Sequence, residues 1–322
     1  MKSFRLTQLL AATALALPLC AHAAWPEKPI TIIVPAAPGG TTDMAARLIG
    51  DKLGQSLGTT VVIENKAGAA GIVGTQQLVR SAPDGYTLIM GNIGPNAINY
   101  SMYKKLPYTP EDFVPITLVI SVPNVLVVNA DSPAKNVKDL ITMIKDKPDT
   151  GTFGSSGTGQ SPHLSAEMFK QRAGIDATHV AYKGAGPAVT ALLGNQYTFM
   201  IDNLPSSLSF IKAGKFRALA VTSNERVAEL PDVPTMAEAG VPDMVVTAWF
   251  GLLAPKGTPQ DVIDKIYASA KTVLASPEIQ TRFQGMGGKA GGNSPAEFAT
   301  FIDGERARWE QTVKAANLSA GN

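Results

Sequence analysis

The chain has 322 residues, with 28 Lys and Arg against 26 Asp and Glu, three histidines, one cysteine and 45% hydrophobic residues. That length supports a sizeable core, and a single cysteine excludes a disulfide framework. Setting aside Lys2 and Arg5, which fall in a leader, 26 basic residues face 26 acidic ones. This balance argues against nucleic acid or an anionic membrane surface as a partner.

Lys2 and Arg5 precede an apolar run, Leu9 to Leu19, interrupted only by Thr13 and Pro18, and Ala21-His22-Ala23 then offers a small-x-small cleavage site. Residues 1–23 therefore read as a signal peptide. The run is shorter than the roughly 20 residues that span a bilayer. Cys20 raises a lipid anchor as the alternative, but bulky Leu19 before it suits lipidation poorly. Cleavage near Ala23 predicts a cysteine-free product outside the cytoplasm with no membrane insertion.

The mature chain alternates short β-branched runs with amphipathic helices, the pattern of an α/β protein with mostly parallel strands. Pro29 to Val34 reads as a strand. Thr42 to Leu57 reads as a helix with Met44, Leu48, Ile49, Leu53 and Leu57 on its apolar stripe and Gly58 past its end. A strand at Thr60 to Glu64, a helix at Gly71 to Ser81 and a strand at Tyr86 to Met90 follow. Beyond a Pro-rich stretch around Pro107 to Pro115, the second cycle runs through a strand at Asn124 to Asn129 and a helix at Val137 to Lys147.

Gly151 to Ser155 leads to a helix with Ser161 as N-cap, Pro162 at the first position and Gly174 at the end. His179 to Tyr182 is a strand, Gly186-Pro187 opens a helix closed by Gly194, and Thr198 to Ile201 is a strand ending at Asp202. Ala218 to Thr222 is extended and the segment Glu229 to Met244 irregular. Val246 to Ala254 is apolar, and helices are expected at Pro259 to Leu274, Pro277 to Gly285 and Pro295 to Ala316. Helices with one strand cannot build a third sheet domain, so this region is expected to return and cover the first. Crossings near Ser121–Val122 and Thr247 would divide a two-lobed clamshell: residues 24–121 with 248–322 in lobe 1, and 122–247 in lobe 2.

Ile30 to Asp43, ITIIVPAAPGGTTD, is the most informative segment. Strand, Gly-rich elbow and helix start adjoin, aiming free N–H groups and a positive dipole end at whatever lies above the turn. GTFGSSGTGQSPH (151–163) and YKGAGPAV (182–189) repeat the arrangement. Three such starts without surplus basic residues predict an anion site, best suited to a carboxylate, built mainly from backbone.

PAAPGGTTDMAARLI, VVIENKAGAAGIVGTQQLVRSAPDGYTL, and LPDVPTMAEAGVP followed by WFGLLAPKGTP resemble the tripartite tricarboxylate transporter substrate-binding proteins, the Bug family of periplasmic receptors. The resemblance covers nearly the whole mature chain. It implies a periplasmic-binding-protein-like fold, a mostly parallel sheet flanked by helices in each lobe and a ligand cleft between them. It further implies a small carboxylate ligand (di- or tricarboxylate, aromatic acid or amino acid) gripped by amides, hydroxyls and waters, and a membrane permease as partner. Carried over by position, the first elbow supplies Pro38, Gly39, Gly40, Thr41 and Asp43, and Asn92 joins the first-lobe wall. The second lobe supplies Ser155, Ser156, Gly157, Thr158, His163, Tyr182, Lys183, Gly184 and Asp202.

Structural alternatives stand beside several of these. Asp43 can serve its own helix; Asp202 can cap the next one or, facing the cleft, select an amine. Lys183 can be solvated or steer ligands, and Trp249 and Phe250 can pack the core or wall the ligand. GSSGTG fails the G-x-S-x-G nucleophile pattern because Thr158 replaces the second glycine, so a hydrolase using Ser156 is the weaker alternative and no enzyme is expected. A signalling receptor presenting its ligand to a sensor kinase needs the same clamshell. Two histidines and no cysteine in the mature chain predict no metal. No cofactor is expected, and the receptor should be a monomer.

Overall fold

The computed structural model describes residues 25–315 and 317–320; the expected leader, 1–23, lies outside them. The first half begins β1 (Ile30–Val34), α1 (Thr41–Leu57), β2 (Val61–Asn65), α2 (Ile72–Val79) and β3 (Thr87–Asn92), with β1 pairing in parallel to both β2 and β3. β1 is buried on both faces because helices cover each side. The buried stripe of α1 is Ala45, Ala46, Ile49 and Leu53; Met44, Leu48 and Leu57, also expected on that stripe, sit at its half-exposed edge. Gly58, in the left-handed conformation, ends the helix.

After α3 (Asn99–Met102) comes β4 (Phe113–Asn129), a 17-residue strand where the sequence suggested a Pro-rich connection and a strand from Asn124 alone. Pro115 and Pro123 are accommodated within it, and the pairing register shifts between Pro115 and Thr117 and between Leu118 and Ile120. The second half continues with α4 (Val137–Asp146), β5 (Thr152–Ser155), α5 (Ser161–Ala173), β6 (Thr178–Ala181), α6 (Ala185–Leu193), β7 (Phe199–Asn203), α7 (Leu204–Lys212) and β8 (Phe216–Val221). β9 (Thr247–Pro255), α8 (Gln260–Ala275), α9 (Pro277–Gly285), β10 (Lys289–Ala290) and α10 (Pro295–Ala315) return to the first half.

β4 is shared by both halves. From Phe113 to Pro123 it pairs antiparallel with β9, and from Asn124 onward with β7 and β8. The result is one ten-stranded sheet in the order β2-β1-β3-β9-β4-β7-β5-β6, with β8 and β10 also on β4. The α/β architecture is mixed: parallel at its two flanks, antiparallel in the centre. Two apolar clusters pack the two faces of each half's share of the sheet.

Where β4 changes partners, the fully buried Thr222 hydroxyl donates to the Val246 carbonyl (2.7 Å) and accepts from the Asn124 N–H (2.8 Å). Asn124 in turn donates to Ser165 of α5 (2.9 Å). All three backbone segments at the junction are thereby tied at one point.

Candidate functional site

The loops that follow β1, β3, β5, β6 and β7 open onto one cavity of about 230 Å³, as expected at the carboxyl ends of strands in an α/β sheet. Its wall includes Pro35, Ala36, Asn92 and Ile93 from the first half, and Ser156, Tyr182, Lys183 and Asn203 from the second. The starts of five helices reach it. Gly40, Thr41 and Thr42 bring α1, Gly71 brings α2, Gln160 and Ser161 bring α5, Ala185 brings α6 and Asn203 brings α7.

None of these five helices has a side-chain hydrogen bond at its N-cap. The first-turn N–H groups have no intrahelical acceptor, so they are available where no side chain competes. Each terminus also carries partial positive charge. Among the described residues, Lys183 is the one charged residue of the wall, and it is a cation.

Between α2 and the strand before it, Gly68, Ala69, Ala70 and Gly71 all have positive φ (143°, 42°, 53° and 89°). Such a run is strained at the two alanines. It turns the chain so that all four residues face the cavity. The Ala70 carbonyl accepts a hydrogen bond from Gln160 of the other half at 2.8 Å.

Further hydrogen bonds join the halves around the cavity. The Thr41 N–H donates to Ser206 Oγ (3.0 Å) and the two hydroxyls lie 2.8 Å apart; the Ala37 N–H donates to the Lys183 carbonyl (3.1 Å); and Tyr103 OH donates to the Thr158 carbonyl (3.2 Å). Glycines stand where the two elbows meet. A Cβ on Gly186 would lie 2.3 Å from the Pro38 carbonyl oxygen, and one on Gly40 would lie 3.1 Å from Ala185 Cβ.

Of the residues singled out from sequence, Gly40, Thr41, Asn92, Ser156, Gly157, Thr158, Tyr182 and Lys183 line the cavity. The others stand elsewhere, each for a local reason. Pro38, Gly39 and Gly184 lie on the seam between the elbows, against Gly186 and Ala37. Asp43 accepts from Arg47, Asn65 and the Gly39 N–H; burial alone would raise its carboxyl, but these bonds outweigh it and hold it below the usual range.

Ser155 is fully buried beneath its loop, 2.6 Å from His179 Nε2. His163 stacks on His179 with ring centroids 4.1 Å apart and accepts from the Gly159 N–H at Nδ1. Burial lowers His163 to about 3 and His179 to about 4, with the neighbouring ring acting on His163 and Lys170 on both. Both rings are therefore neutral supports for the loop.

Asp202 is fully buried on the side of β7 that faces α7, with Ser207 Oγ donating to Oδ2 at 2.7 Å and Oδ1 unpartnered. Burial pushes its carboxyl up to about 7, although hydrogen bonds from Ser207 and the Asn203 N–H pull the other way. Trp249 and Phe250 part company. Trp249 is fully buried and donates to Glu305 (3.1 Å), whereas Phe250 faces the cavity.

Sequence reasoning missed Gly68–Gly71, Tyr103, Gln160 and Asn203 of the wall, and Ser206 of the seam. The GAAG run before an expected helix was the available signal for the first group. Tyr103, which follows the four-residue helix α3, offered none.

The family model for the tripartite tricarboxylate transporter family receptor matches residues 45–318. Protein BugT of Bordetella pertussis is 38% identical over 292 residues, 90% of each chain. The solved structure of R. palustris Rpa4515 with adipate is 37% identical, has a TM-score of 0.90 and matches over 92% of this chain and 99% of its own. MatC (Rpa3494) from Rhodopseudomonas palustris with bound malate is 32% identical, has a TM-score of 0.86 and matches over 90% of this chain and all of its own.

Proposed function

The chain belongs to the tripartite tricarboxylate transporter receptor family, and from that premise we propose that it traps a small organic carboxylate in the cavity between its halves. One observation carries this reading. Five helix starts without side-chain caps converge on a wall that contains, among the described residues, a lysine and no carboxylate. A helix terminus contributes up to about 2 kcal/mol to a partly buried anion. Several together, with charge-assisted hydrogen bonds from Thr41, Ser156 and Thr158, account for most of the roughly 8 kcal/mol of micromolar affinity.

Residues 24–121 with 248–322 move as one lobe and 122–247 as the other, turning about the Asn124–Thr222–Val246 junction. Closing brings the elbows together and completes the site, so ligand binding favours the closed form. The related structures with adipate and malate support an aliphatic acid as the ligand class. The protein acts as a monomer, exported to the periplasm, and hands its ligand to a membrane permease. The hydrolase reading is weaker: Ser156 lines the cavity, but the serine that meets a histidine is the buried Ser155.

A thermal-shift screen of the mature protein, unfolded and refolded to strip carried-over ligand, tests the reading. A ligand at a hundred times its dissociation constant adds about 2.7 kcal/mol. The expected outcome is a clear rise in melting temperature with aliphatic acids and none with their uncharged amides. A screen in which no acid shifts the transition overturns the proposal.

A further inference from the structure

Resting on the receptor reading, we infer that Gln160 is a positioning residue that latches the two halves together. Its side chain seats in a slot on the first half and so fixes the start of α2 opposite the start of α5. Gln160 stands immediately before α5, where a side chain ordinarily caps the helix, yet it makes no cap bond. Its amide crosses to the first half instead and donates from Nε2 to the Ala70 carbonyl at 2.8 Å.

The slot fits that amide. A Cβ on Gly94 would have Oε1, Cδ and Nε2 of Gln160 as its three nearest atoms, at 2.5, 2.6 and 2.6 Å. The side chain therefore lies where residue 94 has none. Beside it Gly159, with a φ of 88°, passes close over Asn99, whose Oδ1 would be 2.5 Å from a Cβ at that position. Ala70 forms the other wall. It belongs to the Gly68–Gly71 run of positive φ, where an alanine is strained. Its carbonyl also takes a longer bond, 3.4 Å, from Asn99 Nδ2 of its own half. Opening the halves withdraws Gln160 and leaves Ala70 with this longer bond, so the strained turn is held by a donor that closure supplies. Gly71 ends the turn and precedes α2. The same latch thus sets where the free N–H groups of α2 point.

The test places spin labels on Ser56→Cys in the first half and Lys138→Cys in the second, both exposed positions, in the mature protein. The label pair goes into wild type, Gln160→Ala, Gly94→Ala and the double variant. Without ligand, the closed-to-open ratio read from the label distances should fall about fivefold in each single variant, the scale of one hydrogen bond. It should fall no further in the double variant, because Gly94→Ala acts by evicting Gln160 from its slot. Titrations with adipate and with malate should show the same loss of affinity for both acids, since the latch biases closure rather than touching the ligand. Label distances indifferent to the substitutions would overturn the inference, as would losses that add in the double variant. A loss confined to one acid would also overturn it, by making Gln160 a ligand contact. Wild type that binds neither acid would refute the receptor reading, while the label distances would still decide the latch.

Discussion

Helices that start at the cavity and helices that start at the outer surface are built differently at their first turn. α1, α2, α5, α6 and α7 begin behind Gly40, Gly71, Gln160, Gly184 and Asn203, none of which caps with its side chain. On the outside, Asn136 caps α4 by accepting from the Asp139 N–H, Ser276 caps α9 through the Ile279 N–H, and Ser294 and Glu297 form a reciprocal box at the start of α10. α8, behind Pro259, is the exception among the outer helices. A cap stabilises a helix by occupying its free donors; a site that needs those donors for a ligand forgoes that stabilisation. At two of the cavity-facing starts the other half supplies a contact instead: Ser206 Oγ accepts from the Thr41 N–H of α1, and Ala185 of α6 lies against Gly40.

That contrast can be broken most severely at Gly186. Alanine there places a Cβ against the Pro38 carbonyl oxygen, at 2.3 Å before any adjustment. The two elbows would be held apart, costing about 1–3 kcal/mol of closure, roughly tenfold to a hundredfold in affinity. The open form does not need this contact, so the unliganded melting temperature should hold. Ligand titration together with solution scattering checks this; unchanged affinity would show that the seam does not gate binding.

Asp202→Asn comes next and acts on stability rather than affinity. The folded carboxyl titrates at about 7, above its ordinary 3.8. Its contribution is therefore full below about pH 4, declines as pH rises toward 7, and stays constant above. His163 and His179 are shifted downward, so their contribution is full above about 6.5 and is lost as pH falls. In wild type the two slopes oppose each other. In Asp202→Asn the histidine slope stands alone, and urea midpoints should fall more steeply from pH 7 to pH 4 than in wild type. Parallel profiles would remove Asp202 from the account.

Ser206→Ala takes away the partner of both the Thr41 N–H and the Thr41 hydroxyl while leaving the cavity wall intact. The expected loss is about 1 kcal/mol of closure, near fivefold in affinity, equal for every ligand. A ligand-dependent loss in parallel titrations would place Ser206 in the site rather than on the seam. The smallest effect belongs to an outer cap. Asn136→Ala should lower stability by about 1 kcal/mol and leave the dissociation constant alone, as denaturation and calorimetry on the same sample would show.

Much of this was written in local sequence. Strand, Gly-rich elbow and helix start follow one another at Ile30–Asp43, and the left-handed stops at Gly58 and Gly174 were legible because they depend on neighbours in the chain. Eight residues of the cavity wall were named through the family resemblance, most of them within the three elbows that local sequence marks. Asp43, His163 and Asp202 sit in equally suggestive positions, yet their side chains turn to Arg47, His179 and Ser207. A single sequence does not encode the direction of a side chain at the end of a strand or in the first turn of a helix.

By itself, then, the sequence determined most of the order of elements, though not α3, α7 or β10, and the positions of the elbows, since each is set by propensity, capping and periodicity over a few residues. The tertiary structure alone decided that β4 runs as one strand through Pro115 and Pro123, because β9, β7 and β8 supply the pairing that makes an extended chain worthwhile there. It also decided which glycines touch, which carboxylates are hidden and where Lys183 stands relative to Ala37. Those outcomes depend on two distant segments meeting, and no local rule contains the distance between them.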